Sequence, residues 1–214
     1  MAKKERVLTL KEQARVQRTE EILSEWKSRG YTAQPHIINI WFAQIASVLV
    51  SAPFSILAYF LYKHFGGTFQ NWTNTPIESV LFIVISLFSF YVHEVIHWFF
   101  MGLCAKSWKD VELGFIWKAL TPYCTCQAPL IKWQHFICTI MPMTILGGIS
   151  TILAIITHNP TILCFAIVHF IGGGGDLLVC LEVFKSKQKD VFIIDHPTEC
   201  GFYLLSKESQ PPTT

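Results

Sequence analysis

The chain has 214 residues, 51% of them hydrophobic and 15% charged, and its mean hydropathy is +0.39. A soluble domain of this length carries about 25% charged residues, so the composition excludes an ordinary water-soluble globule and points to a membrane protein. The net charge of +2 is too small and too dispersed to suggest a nucleic-acid partner.

Residues 1–36 are polar, so no cleavable signal sequence is expected at the start of the chain. Thr9-Leu-Lys-Glu12 fits a capping box and Gly30 a helix stop, which predicts a helix between them. Val16, Ile22, Leu23 and Trp26 give it a partial apolar stripe. The expectation is a solvated cytoplasmic helix lying near the membrane.

Residues 37–184 form the predicted membrane core. About 20 apolar residues suffice to cross a bilayer, and four runs reach that length: 37–62, 78–104, 136–157 and 160–184. Pro53 should bend the first, and Gly172 to Gly175 with Asp176 interrupt the fourth. Between the second and third runs, Val111, Leu113, Phe115 and Trp117 alternate with Asp110, Glu112, Gly114 and Ile116. That period of two predicts a β-hairpin over 109–131, with its turn at Thr121-Pro122. In the tail, 185–214, a β-like Val191–Ile194 run precedes Asp195-His196-Pro197, which reads as a turn. The fold class is therefore a membrane all-α protein of about four transmembrane helices, with a small hairpin after the second and an N-terminal helix.

Orientation follows the basic residues. The N-terminal segment, the loop between spans two and three, and the tail carry nearly all the lysines and arginines, whereas the first outer loop has Lys63 alone. An even number of spans puts all three basic segments on one side. A multi-pass cell-membrane protein with both termini cytoplasmic is expected. The seven cysteines are odd in number and form no CxxC pair, so they read as reduced thiols; Cys124-Thr-Cys126 alone makes a weak metal site.

Within the second span stands His93-Glu94-Val95-Ile96-His97. On a helix, positions i and i+4 share one face, so both imidazoles reach a single ion. Glu94 follows the first of them, where a base must take a proton from the attacking water. Two neutral imidazoles and one carboxylate suit zinc and leave a fourth position open. Ionisable groups in a membrane-spanning segment are costly, and they mark function by default. A third ligand is needed. His93 and His97 lie 11 and 7 residues before Cys104, and Asp176 lies 8 before Phe184, the corresponding end of the parallel fourth span. At about 1.5 Å per residue these depths agree. His169, seven residues before Asp176 on nearly the same face, is the rival ligand.

HEVIH in a membrane helix, a polar segment after it, GGGGDLLV in a later helix and DHPTECGF in the tail resemble a small bacterial family of zincin peptidases. That family is similar in plan to the site-2 proteases, which cleave substrates within the membrane. The resemblance covers residues 80–205. It implies that His93 and His97 are zinc ligands, Glu94 the catalytic base and Asp176 the third ligand. Site-2 proteases usually carry an Asn-Pro segment ending in Asp-Gly, whereas here the order is Gly175-Asp176-Leu177.

The reading is an intramembrane zinc metalloprotease acting on a membrane protein or peptide, which the hairpin would hold by strand addition. The alternative is a non-catalytic metal-binding or sensing membrane protein with the same ligands. A di-iron oxidase needs several histidine clusters, and only His93 and His97 are paired.

Overall fold

A computed structural model describes residues 8–70, 72, 75–116, 121–188 and 190–207. Trp117 and the residues beyond Lys207, which entered the hairpin and tail expectations, lie outside them. Four helical stretches are long and apolar enough to cross a membrane: Phe42–His64, Pro76–Cys104, Lys132–Thr157 and Pro160–Lys185.

Helix α1, Leu10–Ser28, starts at the expected capping box of Thr9 and Glu12. Strand β1, Tyr31–Ile37, leads into α2, Ile40–His64, which runs through Pro53. Helix α3, Pro76–Cys104, opens on a second capping box, in which Thr75 and Glu78 satisfy each other's backbone amides, with Pro76 in the first turn. Strands β2, Val111–Ile116, and β3, Thr121–Cys126, form the hairpin. Thr121 and Pro122 belong to β3 and not to the turn, because Pro122 takes a register position opposite Phe115. Strand β4, Leu130–Ile131, leaves the hairpin altogether for a different sheet.

The third crossing begins at Lys132, four residues before the expected start. It joins α4, Lys132–Pro142, through a π-helical stretch over Met143–Ile149 to α5, Ser150–Thr157. Pro142 lacks the N–H that a regular α-helical ladder needs, and the wider turn follows it directly. The fourth crossing is α6, Pro160–Gly172, and α7, Gly174–Lys185, separated by the single residue Gly173. Ala58 and Tyr62 of α2, Met143, Ala154 of α5, and Leu163, Ala166 and Phe170 of α6 form the packed interior of this bundle. Phe42, Ile45 and Leu49 of α2 and Ile83, Val84, Leu87 and Phe88 of α3 point outward and exposed, as lipid-facing surfaces require.

The larger departure is a four-stranded antiparallel sheet in the order β1-β6-β5-β4, built with β5, Val191–Asp195, and β6, Gly201–Lys207. Strand β5 contains the β-like Val191–Ile194 run, whereas β1 and β6 lie in flanks read without strands, and β1 pairs with β6 from Tyr31 opposite Lys207 to Ile37 opposite Gly201. One face packs Val191, Ile193, Phe202 and Leu204 on Val183 of α7. The other packs Ile194 and Leu205 on Ile22 of α1, with Leu23, Trp26, Tyr31 and Phe192 around them. Helix α1 is therefore a covering layer of the sheet and not simply a solvated helix. It also covers the hairpin, where the Arg15 guanidinium donates to the Tyr123 hydroxyl at 2.9 Å and lies 3.7 Å from Glu112. All of these strands and α1 lie at one end of the four crossings, with the α2–α3 and α5–α6 connections at the other.

Candidate metal centre

The inward face of α3 carries Ser86, Ser89, His93, His97 and Met101, all buried. The helical period sets them there, while the apolar residues between them face outward. His97 donates through Nδ1 to the backbone carbonyl of Cys138 on α4 at 2.9 Å, which leaves the Nε2 lone pair for another partner.

That partner comes from the start of α7. A methyl group at Gly174 would stand 2.2 Å from the backbone oxygen of Ser47, so only glycine lets α7 lie this close to α2. Gly173 likewise closes on Met143, with 3.0 Å to its Cβ from any added carbon. This seam turns Asp176, in the first turn of α7, toward α3. Its Oδ2 lies 2.9 Å from His93 Nε2 and 3.3 Å from His97 Nε2. The three donor atoms lie within 4.8 Å of one another, and no other such group of His, Cys, Asp or Glu is found among the described residues.

The donor set fits zinc. With bonds of about 2.0–2.1 Å, ligand atoms of a tetrahedral site stand roughly 3.3 Å apart, close to the two distances seen here. Three protein donors leave the fourth position open, the pattern of a catalytic site and not of a closed structural one. Residues 86–191 match a family model described as "Putative zincin peptidase". The matched segment contains His93, Glu94, His97, Asp176 and the hairpin, and the match supports a metallopeptidase, for which zinc is the implied metal. No curated protein and no solved structure matches the chain.

Around the three donors lies a second set of contacts. The Glu94 carboxylate, half-buried, lies near the backbone of Cys124 on β3. Two residues on, the N–H of Cys126 donates to Asp195 Oδ2 at 2.7 Å. Alternation along a strand turns the N–H groups of residues 122, 124 and 126 away from β2. Pro122 has none, that of Cys124 lies on the side of Glu94, and that of Cys126 is held by Asp195. Burial raises the Asp195 carboxyl to about 6, against an ordinary 3.8. Sequence reasoning took Asp195 for part of a turn. Its partners on β3 are about seventy residues away in the chain, and the only local signal was a carboxylate ending an apolar β-like run.

His169 stands outside the donor group. It is fully buried, with Nε2 2.7 Å from Ser89 Oγ and its ring centroid 6.5 Å from that of His93. Cys124 and Cys126 join no ion-sized group either; burial pushes both thiols far above their ordinary range, which makes them inert packing residues. All seven cysteines are free.

Proposed function

We propose that this chain is an intramembrane zinc metalloprotease that hydrolyses peptide bonds of a membrane protein, with His93, His97 and Asp176 as metal ligands and Glu94 as general base. The observation that carries it is the meeting of the HEVIH pair with a single carboxylate from a different crossing helix. Zinc bound there would polarise the scissile carbonyl and lower the pKa of water. Glu94 takes the proton from the attacking water and returns it to the leaving amine. The Cys138 carbonyl orients His97.

A transmembrane substrate must be extended to expose a peptide bond, and an extended chain adds to a strand edge. The outward edge of β3 lies near Glu94, so addition there would offer the Cys124 N–H to a substrate carbonyl beside the base. Cys124→Pro removes this donor at an outward position, where proline spares the β2–β3 ladder. It should depress cleavage with zinc retained, and full activity would count against strand addition. Both termini are assigned to the cytoplasm, because the lysine- and arginine-rich segments are those at the strand-bearing end of the bundle. The plan is that of the site-2 proteases, with Gly175-Asp176-Leu177 in place of their usual Asp-Gly.

The test is metal analysis and peptide-bond cleavage on the purified protein in parallel. His93→Ala and Asp176→Ala should lose zinc. Glu94→Gln should keep zinc and lose turnover by at least about 10²-fold. Zinc that survives both ligand substitutions would sink the site. A zinc-loaded protein whose membrane-protein cleavage is indifferent to Glu94→Gln would instead be a metal-binding or sensing protein.

A further inference from the structure

The face of α3 that bears the two histidines continues one turn away from them to Ser89, and there the hydrogen-bond inventory fixes a tautomer. The Ser89 hydroxyl donates to the Ser86 carbonyl at 2.7 Å. It has one proton, so toward His169 it can only accept, and His169 Nε2 must carry the hydrogen of that 2.7 Å bond. A neutral His169 then has a bare lone pair on Nδ1. That atom is buried with no partner, in a side chain with 0% exposure.

His93 presents the complementary case. Its Nε2 faces Asp176 and is the atom that would hold a metal. With Nε2 so used, the ring proton resides on Nδ1, a donor that is likewise buried and without a partner. Metal-binding histidines almost always donate their other N–H, and His97 does so to Cys138. His93 has no such protein acceptor.

The two unmatched atoms are one donor and one acceptor, on rings inclined by only 17° with centroids 6.5 Å apart. That separation of ring centres is too large for a direct N–H···N bond and leaves room for an intervening water, each of whose bonds is about 2.8 Å long. The His169 ring is wedged between Phe165 and Phe90, at 4.5 and 5.5 Å between centroids, so it is not free to turn elsewhere. We propose that His169 is a positioning residue for the metal ligand His93, acting through a buried water that accepts from His93 Nδ1–H and donates to His169 Nδ1. Ser89 sets the tautomer that makes this possible. The bridge holds the His93 ring in the plane needed for coordination and raises the basicity of Nε2.

This inference rests on the zinc reading of His93, His97 and Asp176, and the test separates the two. Zinc affinity is measured by chelator competition on purified full-length protein, together with the visible spectrum of the cobalt-substituted form and the melting temperature of the metal-free form. His169→Phe keeps the bulk and removes the acceptor. It should weaken zinc binding by about 10–100-fold and alter the cobalt bands, with little change in metal-free melting. His169→Gln, whose amide oxygen can accept from the same water, should recover most of the affinity. Ser89→Ala releases the tautomer and should cost up to about tenfold; it decides the matter if His169→Phe does not fold. Wild-type affinity and an unaltered cobalt spectrum in His169→Phe or, should that variant not fold, in Ser89→Ala would overturn the bridge alone. A wild-type protein that takes up no zinc would overturn the metal site and the bridge together.

Discussion

Replacing Gly174 with alanine puts a methyl carbon 2.2 Å from the Ser47 backbone oxygen, 2.7 Å from its carbonyl carbon and 2.9 Å from its Cβ. Two of these neighbours are backbone, so no rotamer change relieves the clash. Ordinary contact begins near 3.4 Å, and α7 or α2 must therefore move by roughly 1 Å. Overpacking of this kind costs about 1–3 kcal/mol. Asp176 sits two residues further along the same helix turn, so displacing α7 carries its carboxylate away from His93 and His97 by a comparable distance. The 2.9 and 3.3 Å separations leave no slack for that, and zinc affinity should fall by at least tenfold. Gly175 is the internal control: an added methyl there meets nothing within 4 Å, although it lies nearer to Asp176 in sequence. The assay is zinc competition and thermal unfolding in detergent for both alanine variants. Gly174→Ala binding zinc like wild type, or Gly175→Ala losing it equally, would refute the claim that the α2–α7 seam aims the ligand.

Two further outcomes follow from the strand-bearing end of the molecule. Ile22→Ala removes a buried side chain between α1 and the sheet residues Ile194 and Leu205. It should cost about 2–4 kcal/mol and expose Arg15, Arg18 and Lys27 to trypsin, and an unchanged digestion pattern would show that α1 is held by other contacts. Asp195→Asn tests the carboxyl raised by burial to about 6 from 3.8. A raised carboxyl stabilises the fold fully below about pH 4, and the contribution is lost as pH rises through 6. The zinc-free asparagine variant should therefore gain on wild type by up to about 3 kcal/mol between pH 4 and 8, read as a melting-temperature difference that grows with pH. A constant difference would mean that Asp195 does not titrate in that range.

The parts of the site that lie on a single helix were open to inspection in the sequence. His93 and His97 announce themselves by a four-residue interval, and Asp176 by its depth on a helix running parallel to theirs. The hairpin showed in the alternation around Leu113, but not its turn, since Pro122 reads locally as a turn former and is in fact an outward position on β3. The four-stranded sheet was illegible for a different reason. Strand β1 contains Pro35 and mostly exposed residues, so it has no apolar alternation of its own, and its register is dictated by β6 at the far end of the chain. The sequence offers His169 as a rival ligand, as a water-lining neighbour of the site or as a satisfied core residue; it stands outside the donor group with Nδ1 unpartnered, a detail that depends on which way a serine hydroxyl points.

The pairing of β1 with β6 has a bearing on biogenesis. Strand β1 precedes the first crossing and β6 follows the last, so their seven-residue ladder cannot close until every intervening helix has been threaded through the bilayer and the ribosome has passed Lys207. Strand β5, which ends in Asp195, is held between β6 and β4. A nascent chain stalled before Gly201 thus has HEVIH and Asp176 already translated but lacks β6, the strand that flanks β5 and its Asp195 contact to β3. If the site is the hydrolytic centre proposed above, the order of synthesis would withhold it in finished form from half-made copies.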